Sequence, residues 1–85
     1  MPPETNQFTR QGAAHHRAGN LAAAKADYRA ALDAAPDDAE AWHLLGQLLH
    51  GEGDLTAAID HIARALELDP NLASAAFNLA VLYDQ

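Results

Sequence analysis

The chain has 85 residues, 49% of them hydrophobic and 20% charged, with a net charge of −7 and no cysteine. That length specifies one small domain, in which folding buries only roughly 60–65% of the surface the unfolded chain exposes. The charge argues against a nucleic-acid phosphate backbone as partner, because such binders concentrate Lys and Arg, and the lack of cysteine excludes disulfides, thiolate metal sites and a cysteine nucleophile.

Met1-Pro2-Pro3-Glu4 has neither the basic nor the apolar segment of a secretory signal. The longest unbroken apolar run, Leu79 to Tyr83, is five residues, where a membrane helix needs about 20. The chain is expected to be soluble, and a cysteine-free composition is compatible with a reducing cytoplasm. Its high alanine content hints at a bacterial source. The charge is uneven: residues 39–85 carry one Lys or Arg and seven acids. That is first a solvated surface, and secondarily a bias towards a basic or neutral partner.

In chain order, a first helix is expected near 5–17, with Phe8 on its inward face. Gly19-Asn20 breaks it, and Asn20 is placed to cap a second helix near 21–34, which carries Tyr28 inward. Pro36 closes this pair. Asp37, with Glu40 three residues on, reads as a variant capping box opening a third helix near 38–51. There Ala41, Leu44, Leu45, Leu48 and Leu49 recur at the helical period, with Trp42 also inward. Gly53-Asp54 breaks that pattern and Asp54 caps a fourth helix near 55–68, whose apolar stripe is Leu55, Ala58, Ile59, Ile62 and Leu66. Pro70 ends it. A fifth helix near 72–84 is apolar almost all round, with Ala76, Leu79 and Tyr83 read as its inward stripe.

A shift of 34 lays the sequence on itself. Residues 5–38 and 39–72 share nine identities: Gly12/Gly46, His16/His50, Gly19/Gly53, Leu21/Leu55, Ala23/Ala57, Ala24/Ala58, Ala31/Ala65, Leu32/Leu66 and Pro36/Pro70. Ala39/Ala73, Ala41/Ala75, Leu45/Leu79 and Leu48/Leu82 continue the match into a partial third unit, 73–85. Such a period marks stacked architectures, because a single helix pair cannot bury its own apolar faces. Gly46 and Ala58 are small enough to let neighbouring backbones approach. The expected fold is all-α: five helices in a stack of antiparallel pairs, an α-solenoid forming one domain over 1–85.

The runs Ala41-Trp42-x-x-Leu45-Gly46-x-x-Leu49, Gly53-Asp54-Leu55-x-x-Ala58-Ile59 and Ala65-Leu66-Glu67-Leu68-Asp69-Pro70 resemble the tetratricopeptide repeat. Residues 5–38 match more loosely. Gln11 and His15 stand where the second unit has Leu45 and Leu49, as befits a polar end unit. The resemblance implies a right-handed superhelix whose concave face is lined by the first helix of each unit. On that basis the groove is Asn6, Thr9, Ala13 and His16 in the first unit, then Glu40, His43, Gln47 and His50, then Ser74, Phe77, Val81 and Asp84. Asn78 matches an asparagine that lines the groove of nucleocytoplasmic sugar-transferase members. The lysine- and asparagine-rich clamp of chaperone-binding members is not matched, since the groove has no lysine and contains Glu40 and Asp84.

Five histidines invite a metal reading, but no His-x-x-x-His pair occurs and a closed zinc site wants four converging ligands; solvent-facing helix histidines are expected instead. Protonation of His16, His43 and His50 would then modulate binding near pH 6. Asp33, Asp37, Asp38 and Glu40 lack the spacing and central glycine of an EF-hand, and the acids suit a helix start. Gly51-Glu52-Gly53 is a helix-ending turn rather than a phosphate loop. Phe77 falls outside the expected core stripe and is the aromatic to single out as a binding anchor. No catalytic residue, metal or cofactor is expected.

The expected function is protein or peptide binding by a scaffold or adaptor module, without catalysis and without nucleic-acid or membrane partners. An alternative is the N-terminal recognition arm of a longer enzyme, resembling a glycosyltransferase or methyltransferase. Another is self-association as a homodimer through Leu79, Leu82 and Tyr83, since an apolar end helix expects cover. A chain stopping in mid-repeat favours a fragment over an end-to-end pair.

Overall fold

The computed structural model describes residues 6–85 and places five α-helices there: α1 (Gln7–Arg17), α2 (Leu21–Ala34), α3 (Ala39–Gly51), α4 (Leu55–Leu68) and α5 (Ala73–Tyr83). These lie within a residue or two of the expected helices. The expected start of the first helix at residue 5, like the Met1–Glu4 segment, lies outside the described residues.

The turn inside each pair is the same structure twice. Gly19 and Gly53 have φ of 85° and 89°, left-handed values that glycine adopts at little steric cost. The amide of Asn20 donates to the His15 carbonyl at 2.8 Å and that of Gly19 to His16 at 3.1 Å. Thirty-four residues on, Asp54 donates to Leu49 at 3.0 Å and Gly53 to His50 at 2.9 Å. This pattern is the Schellman motif, which satisfies otherwise orphaned helix-end carbonyls.

Asp54 caps α4 as expected, its carboxylate accepting from the Ala57 amide at 3.1 Å. Two capping expectations are corrected. Asn20 makes no side-chain cap bond. The cap of α3 is Asp38 rather than Asp37, accepting from the Ala41 amide at 3.1 Å. Between pairs the chain turns at Pro36 and Pro70, where Asp38 donates to the Ala35 carbonyl at 3.0 Å and Leu72 to Asp69 at 3.1 Å. These are β-turns with proline at the position whose φ it pre-sets.

Each pair closes around a glycine. A Cβ built on Gly12 would sit 2.5 Å from Tyr28 Cε1, and one on Gly46 would sit 2.5 Å from Ile62 Cγ1 and 3.2 Å from the Ala58 carbonyl oxygen. The helices therefore approach closely enough for Tyr28 and Ile62 to lie over bare backbone, and both are fully buried. The described residues span 34 × 30 × 19 Å. The short dimension is two helices thick at about 10 Å per helix. The core runs along the slab through Ala24, Tyr28, Leu45, Leu48, Ile62 and Leu82.

Phe8, expected inside, is 38% exposed. Trp42 is half-buried at the α3–α4 seam, tilted against His61 with ring centroids 5.3 Å apart. On α5 the covered stripe is Ala75, Asn78, Leu79 and Leu82, not Ala76, Leu79 and Tyr83. The reason lies in α3, which is covered on two faces. Trp42 and Gly46 meet α4, while Ala41 and Leu48 are fully buried on the other side, where α2 packs. In α5 the equivalents of Ala41 and Leu48, Ala75 and Leu82, are covered, and those of Trp42 and Gly46, Ala76 and Ala80, face solvent. A helix apolar all round gives no moment to say which face is inward. Leu82 is thus a core residue at 3% exposure, and Leu79 is half-buried; of the expected interface only Tyr83, 66% exposed, is freely accessible.

Candidate functional site

Four columns of positions, each related by 34, were expected to line the groove, and the structure separates them. In the column of Thr9, His43 and Phe77 the first two are buried, which corrects their placement on the groove surface. Thr9 Oγ1 donates to Asp38 Oδ2 at 2.7 Å, and Asn78 Nδ2 donates to His43 Nε2 at 2.8 Å. Each bond ties a first helix to that of the next pair, so this column is the seam between α1, α3 and α5. His43 is therefore not a solvent-facing histidine, and burial pushes its pKa below the ordinary imidazole value. Phe77, third in the column, is 70% exposed.

Asn6 is engaged twice. Its Oδ1 accepts from the Phe8 amide at 2.9 Å, capping α1, and its Nδ2 donates to the Ala31 carbonyl at 3.0 Å. Its counterparts Glu40 and Ser74 are exposed in the first turns of α3 and α5. They form the rim.

The remaining columns border two depressions. One, of about 260 Å³, lies between α1 and α3 and is lined by Ala13, His16, Arg17, Tyr28, Leu44 and Gln47. The other, of about 180 Å³, lies between α3 and α5 and is lined by Gln47, His50, Ile62, Asn78, Val81 and Leu82. Adding 34 to Ala13, His16, Tyr28, Leu44 and Gln47 gives Gln47, His50, Ile62, Asn78 and Val81. The two depressions are one structural site built twice, with Gln47 on the wall they share. Each is smaller than the roughly 300–1,000 Å³ of ordinary small-molecule sites, and so suits a single side chain.

The two copies differ in chemistry. The α1–α3 depression carries a cation, because Arg17 is exposed and makes no ion pair among the described residues. His16 Nδ1 lies 3.2 Å from the Tyr28 hydroxyl on its floor. Burial pushes the Tyr28 phenol up; the Arg17 charge opposes this, and Glu40 and Asp27 add to it more weakly. The α3–α5 depression has no acidic, lysine or arginine side chain in its lining. Its floor is Ile62 and Leu82, its wall Val81, and its polar edge Asn78 and His50, whose Nε2 donates to Gln85 Oε1 at 3.1 Å. Asp84 is exposed at the end of α5.

Of the expected groove, Ala13, His16, Gln47, His50, Asn78 and Val81 are brought together. Asn6, Thr9 and His43 serve packing, and Glu40, Ser74, Phe77 and Asp84 lie outside both depressions. Arg17, Tyr28, Leu44, Ile62 and Leu82 were not anticipated as lining. The floor positions were findable, since Tyr28 and Ile62 stand opposite the paired glycines Gly12 and Gly46.

Helix pairs with a shared period, glycine-closed interiors and a face of repeated side-chain-sized depressions define a repeat scaffold of the α-solenoid class. The family model described as tetratricopeptide repeat matches residues 9–73, and the chain belongs to that family. Among curated relatives it is similar to Superkiller complex protein 3 of Mus musculus, 36% identical over 75 residues, and to its Homo sapiens counterpart, 34% identical over 75 residues. Each alignment covers 88% of this chain and 5% of the relative. The chain thus spans a twentieth of the length of the curated relatives it matches.

Proposed function

We propose that this chain is a non-catalytic adaptor module that binds a protein segment in the trough formed by α1, α3 and α5, working in a reducing cytoplasm. One observation carries the reading: the two depressions repeat in register with the sequence, so successive side chains of one partner meet successive copies of one site. Membership of a family that mediates protein–protein interaction supports it. The binding residues proposed are Ala13, His16, Gln47, His50, Asn78 and Val81, with Glu40, Ser74 and Asp84 at the rim. The units are proposed to divide at 5–38, 39–72 and 73–85.

Val81 is 41% exposed and Ala13 half-buried, and neither belongs to the buried core. Peptides selected from a random display library on the wild-type protein are expected to lose binding to the doubly substituted Ala13→Arg, Val81→Arg protein, whose circular dichroism stays helical. Selected peptides that bind both proteins equally would sink the proposal.

The uncovered face of α5 favours a second use, assembly through Phe77 and Tyr83, which are 70% and 66% exposed. Light scattering over a concentration series is expected to show mass growth that Phe77→Ser with Tyr83→Ser removes. A mass that stays monomeric in wild type at high salt, where the −7 charge is screened, excludes it.

A further inference from the structure

We infer that the outer face of α5 docks one amphipathic α-helix of a partner protein, antiparallel to α5, with a small side chain over Ala80, a large one over Ala76 and basic residues flanking its apolar stripe. This face lies outside the trough, so the inference stands or falls separately from the peptide-binding reading.

The geometry comes from the repeat. α5 follows α3 by 34 residues and shares Ala41/Ala75, Leu45/Leu79 and Leu48/Leu82 with it. Ala75 and Leu82 are buried as Ala41 and Leu48 are, so α5 already repeats one of the two seats that α3 takes. The other seat of α3 is filled by α4: Trp42 meets His61 at 5.3 Å between ring centroids, and the bare backbone of Gly46 lies under Ile62. On α5 the same face carries Ala76, Ala80 and Tyr83, all exposed. A helix lying there as α4 lies on α3 would cover an apolar surface of the kind that stacked units bury.

Two residue exchanges set what that helix must carry. Ala80 stands where α1 has Gly12 and α3 has Gly46. A Cβ at those glycines would come within 2.5 Å of Tyr28 in one pair and of Ile62 in the other. α5 has that Cβ, so its partner helix needs a small residue, Ala, Ser or Gly, at the place of Ile62. The further contact, 3.2 Å to the Ala58 carbonyl oxygen, asks the helix to move out by a few tenths of an ångström. At Ala76 the exchange runs the other way. A methyl replaces the indole of Trp42, so a large side chain at the place of His61 restores the lost volume, as close-packed interfaces require.

Helices α2 and α4 of a second copy do not meet this demand, since Tyr28 and Ile62 hold the tight position and are fully buried in their own pairs. Charge indicates the rest of the partner. α5 itself has no charged side chain, Asp69 and Asp84 stand at its two ends, and residues 39–85 carry seven acids and one Lys or Arg. Basic residues beside the stripe complement that surround.

The test uses two peptides with the sequence of residues 55–68, flanked by lysines. Both carry Arg64→Lys closed by a lactam to Asp60 on the exposed side, because a free helix this short is marginal in water. One keeps His61 and Ile62; the other carries His61→Phe and Ile62→Ala. Titrated into 15N-labelled protein, the size-exchanged peptide is expected to shift the amides of Ala76, Ala80 and Tyr83 and to bind about tenfold more tightly than the parent. Ala80→Gly is expected to raise the affinity for the parent peptide, a gain that a mere loss of helix stability does not give. Ala76→Trp is expected to remove the preference for Phe. Flanking glutamates in place of the lysines are expected to weaken binding. Equal affinity for the two peptides, or for lysine- and glutamate-flanked forms, overturns the inference. Shifts confined to Gln47, His50 and Val81 would put the peptide in the trough; the inference then fails and the proposed function stands. If the α5 amides move on dilution of the protein alone and with neither peptide, a second copy covers the face and the inference fails.

Discussion

The Asn78 carboxamide donates to Nε2 of His43 at 2.8 Å, joining α5 to α3 through a ring that is 5% exposed. Nε2 can accept only while it carries no proton, so the bond fixes His43 as neutral and ties the docking of α5 to that state. Protonation would remove the acceptor and place a charge where burial disfavours it.

A pH dependence follows, with a definite sign. The folded-state pKa of His43 lies below its ordinary value of 6.5, so the unfolded chain takes up the proton first as pH falls. Its contribution to stability is complete above about pH 6.5 and declines below it. Urea unfolding at pH 7.5 and pH 5.0 is expected to show a larger loss for the wild type than for His43→Gln, which keeps an acceptor for Asn78 without a titrating ring. Equal losses in the two proteins would remove His43 as the cause.

Thr9 is fully buried and its hydroxyl reaches the carboxylate that also caps α3. Thr9→Val keeps the shape and removes the donor. Hydrogen bonds to charged groups contribute about 1.5–3 kcal/mol, and a loss of that order is expected by urea denaturation. A Thr9→Val protein as stable as wild type would show the bond to be dispensable.

Two glycines in one helix should respond with opposite signs. Gly46→Ala drives a methyl to 2.5 Å from Ile62 Cγ1 and 3.2 Å from a backbone oxygen, and overpacking of this kind costs about 1–3 kcal/mol. Gly51 has nothing within 4 Å of its added Cβ, so Gly51→Ala gains the helical preference of alanine, up to about 1 kcal/mol. Thermal melts of both variants check the pair; a stabilised Gly46→Ala would contradict the close approach of α3 and α4.

The two sides of α5 are separable in the same way. Leu82→Ala empties a core position and is expected to cost about 2–4 kcal/mol. Tyr83→Ala, one residue on and 66% exposed, is expected to change stability by less than about 0.5 kcal/mol. Equal effects would mean that the face of α5 has been misassigned.

Much of this was legible in the sequence because the signals were local. Gly19 and Gly53 take the positive φ that their places after a helical pattern imply, and Asp54 caps α4 within its own turn. What was misread depends on neighbours distant in sequence. Thr9 and His43 are polar and sit on a helical stripe beside the core, so they read as solvent-facing. Their partners Asp38 and Asn78 lie 29 and 35 residues away, and no periodicity names them. On α5 nearly every side chain is apolar, so the pattern could not choose between two faces. The choice was made by α4 covering Ala75 and Leu82. The groove was legible as columns of positions but not as depressions, because the floors come from Tyr28 and Ile62 on the opposite helix layer.

Binding is proposed to take place in the trough of α1, α3 and α5. Amide chemical-shift mapping of a library-selected peptide on the 15N-labelled chain tests it most directly. The expected result is shifts concentrated at Ala13, His16, Gln47, His50 and Val81, with Arg29, Asp33, Asp60 and Arg64 on α2 and α4 unmoved. Shifts concentrated on α2 and α4 instead would place the binding face on the opposite side of the slab and contradict the account.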